Sequence, residues 1–191
     1  MTRTFIALEF NEAVQRYLSE VIREMALALP SLRWVNPAGI HLTLAFLGEL
    51  DDEQLAQAIA ATEAAASSAP PFTYRLTHPG VFGSSRSPRV LWMGIEDQLG
   101  RLNQLQRTLN RQLEQHGFAV EKRPFSPHLT LARIKAPLTP DEQQVLQRLL
   151  ADPRLSRPSP PYHVNALAVM KSELARTGAR YSAIREVPFG R

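Results

Sequence analysis

The chain has 191 residues, enough for one well-filled core or for two small lobes. Its 44% hydrophobic and 21% charged residues suit a water-soluble protein, and the net charge of +4 rests mostly on arginine, which grips phosphate in a planar, bidentate way. The absence of cysteine excludes disulfides, thiolate catalysis and zinc sites of the cysteine type.

Residues 3–10 read as a strand, and their apolar run 5–8 is far too short for a secretion signal or a membrane span. A soluble, cytoplasmic protein without a membrane partner is therefore expected. Asn11 can cap a helix starting at Glu12, where Val14, Tyr17, Leu18, Val21, Ile22 and Met25 keep helical spacing until Pro30. A short strand at 33–35 and a turn through Pro37 and Gly39 lead into a strand at 40–47, closed by Gly48. Glu49 then falls outside that strand. Asp51 caps an alanine-rich helix reaching about Ala66, and 67–71 is a loop. Segments 72–76 and 89–95 read as paired strands, with the turn-rich stretch 79–88 between them as a mobile loop.

Leu99, Leu102, Leu105, Leu109 and Leu113 form a helical core stripe ended by Gly117. Pro124 and Pro127 precede a strand ending near Ile134. Thr139-Pro140-Asp141-Glu142 is a capping box, and its helix stops before Pro153. After a loop at 153–161, two strands at 163–170 and 180–187 pair through a turn at Thr177-Gly178. Short turns between neighbouring strands favour an α+β fold with antiparallel sheets over a parallel one.

The segment HLTLA occurs twice, at His41 and at His128. Alternation with a period of two predicts a half-buried strand in each case. His41 and Thr43 then share one face and Leu42 and Leu44 the other; His128 and Thr130 stand likewise against Leu129 and Leu131. The order strand, helix, motif strand, helix recurs around both copies, which indicates an internal duplication.

The paired H-x-T-x motifs resemble the 2H phosphoesterase superfamily, and within it the RNA 2′,3′-cyclic phosphodiesterases, also called 2′-5′ RNA ligase-like proteins. Similar too are the opening Arg3-Thr4-Phe5-Ile6-Ala7-Leu8, Trp34-Val35, Pro88-Arg89-Val90-Leu91-Trp92, Phe125-Ser126-Pro127, and Ser172, Leu174, Gly178 and Tyr181 in the tail. The resemblance implies one bilobal domain over 1–191, a monomer, with helices outside, antiparallel sheets, and a central cleft between pseudo-symmetric lobes. One histidine would come from each lobe. It implies as partner an RNA or oligonucleotide with a 2′,3′-cyclic phosphate end, opened to a 2′-phosphate, with 2′-5′ ligation as the reverse reaction.

Two imidazoles facing one phosphate suit acid–base catalysis, because a group titrating near neutrality can both take and give a proton. His41 is assigned as general acid and His128 as general base, with Thr43 and Thr130 donating to the phosphate oxygens. No cofactor and no metal is expected, since neither motif carries a carboxylate on its histidine face. By resemblance Arg133 contacts the phosphate. Strict alternation sets it opposite His128, so it reaches the site only if the strand bulges, twists or ends there. Phe46 stands at the matching position of the first motif. Phe10, Trp34 and Phe82 are candidate base-stacking residues and Arg86 and Arg89 candidate phosphate contacts, although core or solvated roles fit each better. His78, His116 and His163 read as surface or structural residues. Rival readings are a phosphodiesterase for another small cyclic phosphate, a nucleotide-binding module without turnover, and a structural RNA-binding protein.

Overall fold

A computed structural model describes every residue except Ser85, Arg176, Thr177 and Arg191; it does not describe the side chains of residues 174–179. The elements run β1 (Thr2–Glu9), α1 (Glu12–Ala28), β2 (Arg33–Trp34), β3 (His41–Leu50), α2 (Asp52–Ser67), β4 (Phe72–Ser84), β5 (Ser87–Glu96), α3 (Arg101–Gln115), β6 (His128–Arg133), α4 (Pro140–Leu150), β7 (Tyr162–Val164), β8 (Ala166–Ala175) and β9 (Gly178–Pro188). A 3₁₀ turn at Pro37–Gly39 precedes β3. The fold is α+β: one sheet has the order β3-β1-β8-β9 and the other β2-β6-β5-β4-β7, and every pairing is antiparallel. No helix among the described residues is long and apolar enough to cross a membrane.

Three helices start where their capping residues stand. Asn11 accepts the Val14 N–H, and Asp51 with Gln54 and Thr139 with Glu142 form reciprocal capping boxes. The fourth start was not legible as such. The Asp97 carboxylate accepts the N–H groups of Leu99, Arg101 and Leu102, and Gly100 adopts φ 65°, so Leu99 lies outside α3 and is 76% exposed. The apolar faces of α1 and α3 bury against Ile6, Leu8, Leu42, Leu44, Leu91, Met93, Leu129 and Leu131, which draws residues of both sheets into one core.

Three sequence expectations need correction. Residues 79–88 do not form a loop: β4 and β5 continue as one long hairpin, with register shifts around Leu76/Pro79 and Phe82/Gly83 accommodating the proline and the glycine at φ 105°. Ser85 at its tip is outside the described residues. The first motif strand runs through Gly48, at φ 80°, to Leu50, so Glu49 lies inside it, directly across from Arg3. The strand expected at 163–170 splits at Asn165 into β7, on the five-stranded sheet, and β8, on the four-stranded one. The turn expected at Thr177-Gly178 involves a residue outside the described set.

Both motif strands carry a bulge at the same place. Thr43 pairs with Ala7 and Ala45 with Ile6, leaving Leu44 unopposed; Thr130 pairs with Trp92 and Ala132 with Leu91, leaving Leu131 unopposed. The extra residue turns two consecutive side chains toward the core and reverses the parity that follows. The two sheets come together where β3 approaches β6, within 8 Å between Cα atoms.

Close packing beside the second motif depends on Gly80. A Cβ there would lie 2.3 Å from the Trp92 indole, which faces it across the β4–β5 ladder. We expect Gly80→Ala to cost about 1–3 kcal/mol by overpacking, read as a lowered melting temperature. An unchanged melting temperature would mean that the indole is free to move.

Candidate active site

Each motif histidine is held by a backbone carbonyl two residues earlier. The Nδ1 of His41 lies 2.9 Å from the Gly39 carbonyl oxygen, and the Nδ1 of His128 lies 2.7 Å from that of Ser126. A carbonyl can only accept, so Nδ1 carries the proton in both rings and Nε2 is left for chemistry. The repeat in sequence is thus a repeat in geometry.

Aromatic neighbours fix the ring planes. Phe5 and Tyr181 each lie 4.7 Å from the His41 ring, tilted and edge-on respectively. Phe82 stands edge-on to His128 at 4.6 Å. Tyr181, Phe82 and Phe46 are 42%, 37% and 55% exposed, so aromatic surface remains open beside both histidines. Phe10 is core and Trp34 donates its indole N–H to the Leu29 carbonyl, which assigns both to structure. The buried Trp92 indole N–H has no acceptor among the described residues. Arg86 and Arg89 are exposed.

Burial pushes the His41 imidazole below the ordinary histidine value, and the bond to the Gly39 carbonyl acts in the opposite, raising direction. Glu9, directly across the ladder from His41, has its carboxyl raised by burial and by the nearby Glu186.

The bulges decide what else shares the histidine faces. Leu129, Leu131 and Ala132 are buried, whereas His128 and Thr130 are partly exposed and Arg133 is exposed. The condition set for Arg133 is therefore met: it emerges on the side of His128 and Thr130. Arg33 lies directly opposite Arg133, while Trp34 and Ala132 pair on the core side. Two like charges opposed across a ladder repel, and neither arginine has an ion-pair partner among the described residues. In the first motif the same parity brings out Thr43 and Phe46, with Arg3 over the Phe46 ring at 5.1 Å.

No group of three or more His, Asp or Glu side chains is placed to hold a metal ion among the described residues. Two hollows, one along α4 beside Arg148 and one of about 180 Å³ between Arg33 and Lys135, contain no motif histidine or threonine.

Sequence reasoning missed the carbonyl tethers and the ring contacts of Phe5 and Tyr181. Neither has a local signal, since the tether depends on backbone direction and the contacts join distant strands.

The model of the 2′-5′ RNA ligase superfamily matches residues 14–176. The RNA 2′,3′-cyclic phosphodiesterase of Thermotoga maritima is 33% identical over 187 residues, 98% of this chain and 95% of the relative. That of Bacillus subtilis is 34% identical over 130 residues, 68% and 69% of the two chains. Among solved structures, TT0787 of Thermus thermophilus superposes with a TM-score of 0.80 at 27% identity, over 99% of each chain. E. coli LigT complexed with 3′-AMP superposes with a TM-score of 0.74 at 27% identity, over 100% of this chain and 99% of that one.

A burial-lowered imidazole should be recognisable in solution. By NMR the His41 ring of the free protein is expected to titrate below the ordinary value of about 6.5, and inorganic phosphate, by adding negative charge beside it, should raise it. A ring titrating above that value without phosphate would contradict the burial seen here.

Proposed function

The chain belongs to the 2′-5′ RNA ligase superfamily, and we propose that it is an RNA 2′,3′-cyclic phosphodiesterase that opens cyclic phosphate ends to 2′-phosphates without a metal ion. The observation that carries this reading is the doubled geometry: two imidazoles, each tethered at Nδ1 to a backbone carbonyl, on the two strands where the sheets meet. The name shared by its relatives supports the substrate class. One chain supplies both histidines, so a single bilobal domain acting as a monomer suffices.

In the proposed reaction His128 Nε2 takes a proton from water as the oxygen attacks phosphorus. The bond from phosphorus to the ribose 3′ oxygen breaks, and His41 Nε2 gives its proton to that oxygen. The 2′ ester remains. Charge gathering on the two non-bridging oxygens is met by the hydroxyls of Thr43 and Thr130 and by Arg133. With a 5′-hydroxyl in place of water as the nucleophile, the same pair forms a 2′-5′ linkage and frees the 3′-hydroxyl. The exposed rings of Phe82 and Tyr181 offer faces for bases near the cyclic end.

One observation favours the reverse assignment of the two histidines. Burial holds the His41 ring toward its neutral form, which is what a base needs. Substrate opposes this, because the phosphate anion stabilises the protonated ring. We retain His41 as acid on that ground.

Hydrolysis of an oligonucleotide ending in a 2′,3′-cyclic phosphate should survive EDTA and leave a 2′-phosphate. Loss in EDTA restored by zinc or manganese would overturn the metal-free scheme. His41→Ala and His128→Ala should each slow turnover by roughly 10²- to 10⁴-fold, and Thr43→Ala and Thr130→Ala by less. A substrate with sulfur at the 3′ leaving position hardly needs an acid. On it His41→Ala should be largely rescued and His128→Ala should not; the opposite pattern would reverse the roles.

A further inference from the structure

The two lobes differ at the position after the bulge: Arg133 in the second, Phe46 in the first. If both motifs hold one phosphate group, a cation is missing on the first side. The structure supplies one from the neighbouring strand. Arg3 alternates with Phe5 and Ala7 on β1, and those two pair with Phe46 and Thr43, so all share the face of His41. Its guanidinium carbon lies 5.1 Å from the Phe46 ring centroid.

We propose that Arg3 is the first lobe's phosphate-binding cation, the counterpart of Arg133, and that Phe46 is the positioning residue that holds it; this rests on the cyclic-phosphate reading above. Three observations support it. Phe46 is 55% exposed and belongs to no part of the core, so burial does not explain a phenyl ring there. Glu49 is the direct ladder partner of Arg3, yet Arg3 appears in no ion pair among the described residues and lies over the ring instead. Stacking occupies the face of the guanidinium and leaves its planar fork of N–H donors free for an anion. A cyclic phosphate has two non-bridging oxygens, and each lobe then offers one threonine hydroxyl and one arginine.

The experiment compares wild type, Arg3→Gln, Arg3→Lys and Phe46→Leu in the full chain. Substrates are adenosine 2′,3′-cyclic phosphate and an oligonucleotide with the same end, and binding of inorganic phosphate is measured separately through the His41 NMR signal. Arg3→Gln should lower kcat/KM by roughly 10- to 100-fold on both substrates, the usual weight of a charged hydrogen bond, and weaken phosphate binding, with the melting temperature unchanged. Arg3→Lys should recover only part, because an ammonium lacks the flat fork. Phe46→Leu should fall between wild type and Arg3→Gln. Unchanged rates and phosphate affinity in Arg3→Gln would overturn the proposal. So would a loss confined to the oligonucleotide, which would place Arg3 on a neighbouring phosphodiester. Wild type inactive on both substrates would overturn the activity itself, and phosphate binding alone would then decide the role of Arg3.

Discussion

The site depends on one extra residue in each motif strand. Without the bulges at Leu44 and Leu131, strict alternation would turn Ala45 and Ala132 away from the core and drive Phe46 and Arg133 into it. A buried, unpaired guanidinium is among the costliest things a fold can contain. With the bulge, leucine and alanine both face the core beside Ile6 and Leu91, and the next residue emerges beside the histidine and threonine. On the other edge of the second motif strand the Val35 N–H, just past β2, donates to the Leu131 carbonyl at 3.0 Å. Strand β2, only two residues long, sets Arg33 beside Arg133.

A second constraint acts on the imidazoles. A histidine on an open sheet face would turn freely about χ1 and χ2 and exchange its ring proton between nitrogens. The bond from Nδ1 to the carbonyl two residues back removes both freedoms, since it fixes the ring and the tautomer together. The chain before each histidine is itself restrained. A 3₁₀ turn with Asn36 capping Ala38 presents the Gly39 carbonyl, and Pro127 follows directly after Ser126. In the proposed acid–base reaction such preorganisation spares the reorganisation that water would require.

What the sequence disclosed depended on the range of the signal. The duplicated HLTLA, the caps at Asn11, Asp51 and Thr139, and the antiparallel α+β class were legible, because period and capping chemistry are local. Parity beyond Thr43 and Thr130 was not, because a bulge is a count of two residues against one on another strand. Turn-forming residues at 79–88 also misled: Gly80 is there to admit the Trp92 indole and Gly83 to take φ 105°, both within a paired hairpin. Asn165 carried no signal of a strand leaving one sheet for the other. Its role is tertiary, and its carbonyl accepts the Phe189 N–H at 2.7 Å.

That crossing interlocks the two repeats. The first repeat, β1 through α2, is followed by β4, which joins the sheet of the second; the second, β5 through α4, is followed by β7, which stays on its own sheet beside β4, and then by β8 and β9, which join the sheet of the first. Each repeat therefore completes the other's sheet. The exchange reaches the imidazoles: Phe82, against His128, rides on β4, and Tyr181, against His41, rides on β9. Each histidine comes from one repeat and is braced by an aromatic ring from the strand that trails the other. Brace and imidazole share a sheet in each case, Tyr181 with His41 in the four-stranded sheet and Phe82 with His128 in the five-stranded one, so each ring contact ties a strand of one half to a strand of the other within that sheet. The strands that join the halves of the fold thus also hold the two imidazole rings.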